Sequence, residues 1–470
     1  MKNYVMKLIP SKHLVKIKLS KDAYIIYHSL FGGLLGVRRG ILDFIEMFKG
    51  GIDPKQSFNK KELAKYQKTI LDLKKRHFLV GKGTDERSLL ENKNREFEKA
   101  LVAGKLITSL RFEMASFCNF RCRHCYAAKI YDWKKGAKIS FPTAKRAIDG
   151  FINIIRRAGN KEGDITFWGG EPLLNWEVIK QTVEYVDKIT KHSPIKILSG
   201  IVTNGSLFND DILKVMKQHE IAATVSLDGL EKENNRFRKF IDGRGTFKTI
   251  VKGMEGLNRH GIRFWVELCI NDYNFDSIER VMDFVHNEYG CNTFLIQPIY
   301  YQKSPLSFDH HSSKEKAKRF MEIYDYGIKR GIEVNSDWKF LINHAIVIRQ
   351  GGSLPFCKGL FGSLYVKPSG IVTSCQGLTI PIGTVKEMEK IPQGASYRYI
   401  ATRKLSRIKG CQGCGIEGFC GGGCAGKTAF YSGDIYDTSH PLFQSYYCSF
   451  RRHMFREMLK YHAKQKNFMT

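Results

Sequence analysis

From residue 106 onward, apolar strand candidates alternate with amphipathic helix candidates. The strand candidates are "LITSLRFEMAS", "DITFWGGEP", "ILSGIVTNGS", "AATVSLDGL", "RFWVELCIND" and "TFLIQPIY". Between them lie segments with helical spacing, such as "TAKRAIDGFINIIRRAG" and "WEVIKQTVEYVDKITKH". Six β–α repeats predict a parallel sheet with crossover helices, either doubly wound or a full or partial TIM-type barrel. Ahead of them, "HLVKIKLS" and "AYIIYHSLFG" read as strands by alternation and β-branched content. "RRGILDFIEMF" and "KKELAKYQKTILDLKKR" follow as helices, so this unit fits a winged-helix-like module. The charged stretch 81–105 reads as a helical or flexible linker. From about residue 353 the periodicity weakens into a Gly- and Cys-rich segment, whose fold is expected to lean on metal ligation, before a final helix, "SFRRHMFREMLKYHAKQK".

At 470 residues the chain has room for two or three cores. Its longest apolar stretch, residues 23–37, is too short to span a bilayer and contains His28. The N-terminus lacks the apolar core of a secretion signal, so a cytoplasmic protein with no membrane association is expected. The net charge of +30 is densest in the first hundred residues. Such a surface attracts acidic peptides, acidic electron-transfer proteins or nucleic acid. Of 12 cysteines, none lies in residues 1–100 and most form tight clusters, which points to metal ligation over disulfides.

The unusual residues fall where strands end. "CNFRCRHC" (118–125) follows the first, Gly169–Gly170–Glu171–Pro172 the second, Thr203–Asn204–Gly205 the third, and Ser226 with Asp228 the fourth. In a barrel, chemistry gathers at the C-terminal strand ends. Three cysteines within eight residues can bind three corners of a cubic iron–sulfur cluster and leave the fourth iron open. Structural zinc instead wants four closed ligands, commonly as C-x₂-C pairs.

C-x₃-C-x₂-C after the first strand and "GGEP" after the second resemble the radical S-adenosylmethionine (radical SAM) superfamily. The resemblance implies a partial (β/α)₆ TIM-type barrel, with a 4Fe–4S cluster on Cys118, Cys122 and Cys125. S-adenosylmethionine would chelate the open iron, and its reductive cleavage would yield a 5′-deoxyadenosyl radical. No catalytic side chain is expected beyond the clusters. By position, Tyr126, Gly169, Gly170, Glu171, Pro172, Asn204, Ser226, Arg238 and Gln297 resemble the residues that contact S-adenosylmethionine. The two glycines would let the backbone approach its methionine amino group, and Ser226 and Arg238 would hold its ribose and carboxylate. His124 stands where an aromatic often precedes the third cysteine, and Asn234–Asn235 replace a common His–Asp pair.

Seven cysteines remain in the last third: Cys357, Cys375, Cys411, Cys414, Cys420, Cys424 and Cys448, with Gly370 and "CGGGC" between. The series resembles the SPASM extension of radical SAM proteins. That implies two auxiliary 4Fe–4S clusters, three in all: a distal one on Cys411, Cys414, Cys420 and Cys448, and a proximal one on Cys357, Cys375 and Cys424. The proximal set has only three ligands, which leaves an iron open to a substrate thiolate. Cys269 reads as a barrel core residue and Cys291 as a buried thiol.

Proteins with this extension generally modify peptides. The first 80 residues resemble a PqqD-like leader-recognition module, whose basic balance suits an acidic leader adding a strand to its sheet edge. The expected organisation is therefore a recognition domain over 1–82, a linker over 83–105, the barrel over 106–340 and the auxiliary-cluster domain over 341–470. The expected function is maturation of a ribosomally made peptide by a thioether from a cysteine sulfur to a carbon. The radical would abstract the hydrogen, and the proximal cluster would hold the sulfur and take up the leftover electron. The partners would be the precursor peptide and a flavodoxin- or ferredoxin-type electron donor. Two alternatives remain open. One is an anaerobic sulfatase-maturating enzyme forming formylglycine, though that family carries a catalytic aspartate where this chain has Gln376. The other is a carbon–carbon crosslinking or epimerising maturase. A DNA-binding regulator is not expected, because Lys and Arg spread over strands, helices and linker rather than along one recognition helix. His310–His311 reads as a solvated loop pair.

Overall fold

The computed structural model describes residues 7–127, 136–299, 311–336 and 357–464. His310 and the stretch 341–356 lie outside the described residues. At the N-terminus, β2 (Leu14–Lys18), β3 (Ala23–His28) and β4 (Gly32–Arg38) form an antiparallel meander, while β1 (Leu8–Pro10) pairs antiparallel with β5 (Leu79–Gly81). Alternate side chains of a strand point to opposite faces, and here both faces are buried. Ile26 and Val37 pack with Phe44, Phe48, Ile70 and Leu73 from the helices Arg39–Glu46, Lys60–Lys75 and the turn between them. Ile17, Ile25, Tyr27 and Leu34 pack instead on Ile416, Phe419, Phe455 and Leu459 from the C-terminal region. The run "AYIIY" is continuously apolar for that reason.

The stretch 83–105 forms two helices, Glu86–Lys93 and Arg95–Val102. They are packed rather than solvated, for Leu90 and Leu101 enter the main core. Glu86 is buried and accepts from Ser11 Oγ at 2.7 Å, with His28 Nε2 also at 2.7 Å.

Among the described residues the main sheet has ten strands. It contains β6 (Ser109–Ala115), β7 (Glu162–Gly169), β8 (Lys196–Thr203), β9 (Ala222–Ser226), β10 (Phe264–Ile270), β11 (Thr293–Pro298) and β12 (Glu333–Asn335), each parallel to its neighbour. The chain then returns to the opposite edge. There β13 (Ser363–Val366) runs parallel to β6, and β14 (Ile371–Thr373) and β15 (Gly383–Thr384) add on antiparallel. The order is β12-β11-β10-β9-β8-β7-β6-β13-β14-β15. This large parallel sheet with crossover helices is the α/β architecture the repeats predict.

One face of the sheet is fully apolar: Leu110, Phe112, Phe167, Val225, Val266, Leu268, Phe294 and Ile296 are all buried. Helices such as Phe141–Ala158 supply the opposing Ile148, Phe151 and Ile155. The other face is mostly polar and half-buried, carrying Arg111, Thr166, Ser226, Glu267 and Gln297 beside the buried Glu113. The C-terminal region is apolar inside despite its weak periodicity, with Ile391, Tyr397, Ile400, Phe443, Tyr447 and Met454 joining the main core. Its last helix, Ser449–Lys464, lies along the helix Ser313–Arg330, with Phe320 and Phe450 ring centroids 5.3 Å apart. Among the described residues no helix is long and apolar enough to cross a membrane.

Candidate active site and cysteine sets

The loop bearing Cys118, Cys122 and Cys125 leaves β6 and is held from two sides. From β7, Gly170 N donates to Ala115 O at 2.8 Å and Glu171 N to Phe117 O at 3.0 Å. A Cβ on Gly170 would meet Phe117 O at 2.3 Å, and one on Gly169 (φ +147°) would meet Ala115 O at 2.4 Å. The two glycines therefore let the second strand end press against the cysteine loop itself. From the other side, Arg121 N and Arg123 N donate to Lys239 O (2.8 Å) and Phe237 O (2.9 Å).

Glu171 is fully buried. It accepts from Thr203 Oγ1 (2.7 Å), Leu173 N (3.1 Å) and Asn204 N (2.8 Å), so it clamps the ends of β7 and β8 together. Burial outweighs these donors and pushes its carboxyl up to about 7. Pro172 starts the turn that follows. Asn204 reaches the cysteines: its Nδ2 lies 2.8 Å from Asn119 Oδ1 and 3.6 Å from Cys118 Sγ. Tyr126 donates its hydroxyl to Gln376 Oε1, and Gln376 Nε2 lies 3.5 Å from Gly169 O. That pair ties the cysteine loop to the residue after Cys375. Ser226 and Gln297 are half-buried on the polar face, at the ends of β9 and β11.

Arg238 lies beside the cysteine loop and is almost fully buried. Its guanidinium pairs with Asp228, Nε to Oδ2 at 2.7 Å and Nη2 to Oδ1 at 3.0 Å. Asp228 is a hub that sequence reasoning did not single out as a site residue. It also accepts from Cys269 N at 2.9 Å and lies 3.3 Å from His124 Nε2. Cys269 therefore borders a buried charged cluster instead of an apolar core. His124, Asp228 and Cys269 present ligand atoms within 4.8 Å of one another, but the Arg238 cation already occupies Asp228. Burial holds the His124 imidazole down to about 4, against the pull of Asp228. Burial also pushes the Cys122 thiol up to about 12, against the pull of Arg238. Cys291, by contrast, is buried as the sequence suggests.

The extension cysteines sort into two neighbourhoods. Burial pushes the Cys375 thiol up to about 12, and the nearby thiols acting on it are Cys424 and Cys357. Burial pushes Cys411 up to about 12 as well, and its thiol neighbours are Cys420 and Cys414. Cys448 is raised by burial with Cys420, Cys411 and Cys414 beside it. Three thiols thus gather near Gln376 and four near the Cys411–Cys420 loop. These donor sets fit thiolate-ligated iron, because coordination deprotonates thiols, including Cys375, Cys411 and Cys448, which burial holds in the protonated form.

A parallel sheet whose strand ends carry this loop defines the class. The sequence model of the radical SAM superfamily matches residues 112–285. Those residues form a radical SAM domain, and the chain is a radical SAM enzyme. Within that class it is 24% identical over 444 residues to the radical SAM cyclopropyl synthase TigE of Paramaledivibacter caminithermalis, covering 91% of this chain and 92% of TigE. It is 23% identical over 319 residues to a serine-type anaerobic sulfatase-maturating enzyme of Klebsiella aerogenes, covering 65% of this chain and 76% of that one. The structure of SuiB from Streptococcus suis, bound to its precursor peptide SuiA, shares the fold at a TM-score of 0.55 and 14% identity. That match covers 93% of this chain and 100% of SuiB.

Proposed function

We propose that this enzyme matures a ribosomally made peptide by joining a cysteine sulfur to a carbon of another residue. The observation that carries the reading is the sorting of the seven extension cysteines into a set of four and a set of three. Four thiols complete the ligation of a cubic cluster, whereas three leave one position for a thiolate from the peptide. With clusters on Cys118/Cys122/Cys125, Cys357/Cys375/Cys424 and Cys411/Cys414/Cys420/Cys448 and with S-adenosylmethionine bound, the cofactors would supply the radical and accept the remaining electron.

The chain's own residues supply placement. Gly170 and Glu171 hold the first cysteine loop, and Asn204 and Asn119 form its floor. Tyr126 and Gln376 span the gap to the three-thiol set. A carboxamide at Gln376 cannot take up a proton near neutral pH, which counts against the formylglycine chemistry that uses an aspartate there. The N-terminal meander, with its basic balance, is suited to hold an acidic leader. The likeness to TigE favours a second reading, since closing a cyclopropane makes a carbon–carbon bond.

The deciding experiment incubates the reconstituted enzyme anaerobically with S-adenosylmethionine, a low-potential reductant and the peptide encoded by a neighbouring short reading frame. Mass spectrometry should show loss of two hydrogens per link. Subsequent alkylation should find one thiol fewer for each link. An alkylatable thiol in a dehydrogenated product would favour the carbon–carbon reading, and formylglycine in place of cysteine would overturn both.

A further inference from the structure

Arg403 follows the helix Ala395–Thr402 and is only 1% exposed. Its Nε donates to Ile435 O at 2.7 Å, and Nη2 donates to Thr428 Oγ1 at 3.0 Å and Gly422 O at 3.2 Å. Nη1 donates to Gly423 O at 2.5 Å and lies 3.5 Å from Gly421 O. All these partners are neutral oxygens, and Arg403 makes no ion pair among the described residues. The three glycines of "CGGGC" all adopt positive φ, at 54°, 74° and 66°, which turns three successive carbonyls onto one guanidinium. This cradle lies between Cys420 of the four-thiol set and Cys424 of the three-thiol set.

A guanidinium remains protonated in proteins, and burying one without an opposite charge is strongly unfavourable. The groups that oppose this penalty at Arg403 are the thiols of Cys424, Cys411 and Cys420, with the Tyr447 hydroxyl. Neutral thiols would not balance a buried cation, whereas iron-bound thiolates would. A second buried guanidinium repeats the theme. Arg451 Nε lies 3.3 Å from Cys420 Sγ, and its Nη1 lies 3.1 Å from Tyr447 Oη, which accepts from Cys424 N at 3.1 Å.

We propose that Arg403 is a shared counter-charge for both auxiliary cysteine sets, a positioning residue that raises the reduction potentials of the clusters they hold. This rests on the reading that both sets bind iron–sulfur clusters. A fixed cation beside a cluster stabilises the added electron, so its removal lowers the potential.

The test compares Arg403→Gln and Arg403→Lys in the full reconstituted chain, by iron analysis and by redox titration followed by paramagnetic resonance. Three cubic clusters require about twelve irons per unsubstituted chain, and a count of about four would overturn both this inference and the reading beneath it. With the clusters present, R403Q should shift the auxiliary potentials downward and leave the cluster of Cys118, Cys122 and Cys125 unmoved. R403K should stay near the unsubstituted values. Loss of auxiliary iron in R403Q but not in R403K would also support a charge role. Unshifted potentials in R403Q, or equal loss of iron in both variants, would overturn the inference and leave the cluster assignment standing.

Discussion

Arg87 and Glu417 are 330 positions apart in sequence, yet they meet as a two-pronged ion pair with distances of 2.7 and 2.8 Å. The Glu417 side chain is fully buried and also accepts from Gly413 N at 3.1 Å, within the turn that joins Cys411 to Cys414. Arg87 lies on the first helix of the 83–105 segment, so this pair fastens that segment to the four-thiol loop. Removing one partner leaves a buried charge unpaired, which is far more costly than never having had the pair. Arg87→Ala should destabilise the chain by about 2–4 kcal/mol, discounted for the partial exposure of Arg87. It should also loosen iron at the four-thiol set, and Arg87→Lys should restore part of both. Thermal unfolding and iron analysis of the two variants check this, and an unchanged melting temperature in Arg87→Ala would refute it.

Gly170 makes a sharper demand on the first cysteine loop. An added Cβ would sit 2.3 Å from Phe117 O and 3.0 Å from Cys118 N, both backbone atoms that cannot move aside alone. Gly170→Ala should therefore displace the loop bearing Cys118. The expected result is loss of about four irons per chain, with the roughly eight of the auxiliary sets retained. Loss spread over all sets would mean that the damage is general unfolding.

Much of this was legible in the sequence. The strand "FWVELCI" alternates buried and half-buried positions in the structure, as the apolar–polar pattern predicts. The clustering of the cysteines marked the candidate site, and the family resemblance they carry implied the ligand sets. What stayed hidden has physical causes. The strands β12 and β13 have three and four residues, too few to show a period, so the return of the chain to the β6 edge was unreadable. The continuous apolar run at Ile25–Tyr27 signals two covered faces, but nothing local names Phe419 and Phe455 as what covers one of them. Asp228 stood out at a strand end but not as the partner of Arg238, while Arg403 and Arg451 look like ordinary surface charges in a basic chain and only their burial sets them apart. Charge pairing across long sequence separations leaves no local pattern.

The Asp228–Arg238 pair, ten positions apart in sequence, allows a direct test of a buried charge pair. Both groups are buried, and Asp228 additionally fixes Cys269 N and faces His124. Asp228→Asn leaves the Arg238 cation without its counter-charge and should cost about 3–5 kcal/mol. The double variant Asp228→Asn/Arg238→Met should recover a large part of that loss, giving a coupling of about 1–3 kcal/mol in a double-mutant cycle. Denaturant unfolding of the four proteins measures it. Additive losses would show that the two residues do not act as a pair.

His13 carries the last prediction. It lines a groove of about 410 Å³ between the N-terminal module and residues Gln412–Gly415, together with Lys12 and Arg87. Its ring is buried, with Nδ1 3.3 Å from Ser29 Oγ and no hydrogen-bond partner for Nε2 among the described residues. Burial holds the imidazole down to about 4; Glu86 pulls it upward, while His28, Arg87 and Lys12 push it down. The unfolded chain binds the proton near pH 6.5, and the folded chain resists it until near pH 4. The contribution of His13 is thus fully present above about pH 6.5 and is lost as the pH falls through that window. By about pH 5 the loss should reach about 1–2 kcal/mol. Glu86, whose carboxyl is held below the usual range by hydrogen bonds from His28 and Ser11 against its burial, begins to lose its own contribution only at lower pH. His13→Gln cannot take up a proton, so its melting temperature should fall less between about pH 7 and pH 5 than that of the unsubstituted chain. Parallel curves for the two proteins across that range would remove His13 as the source of acid sensitivity at this junction.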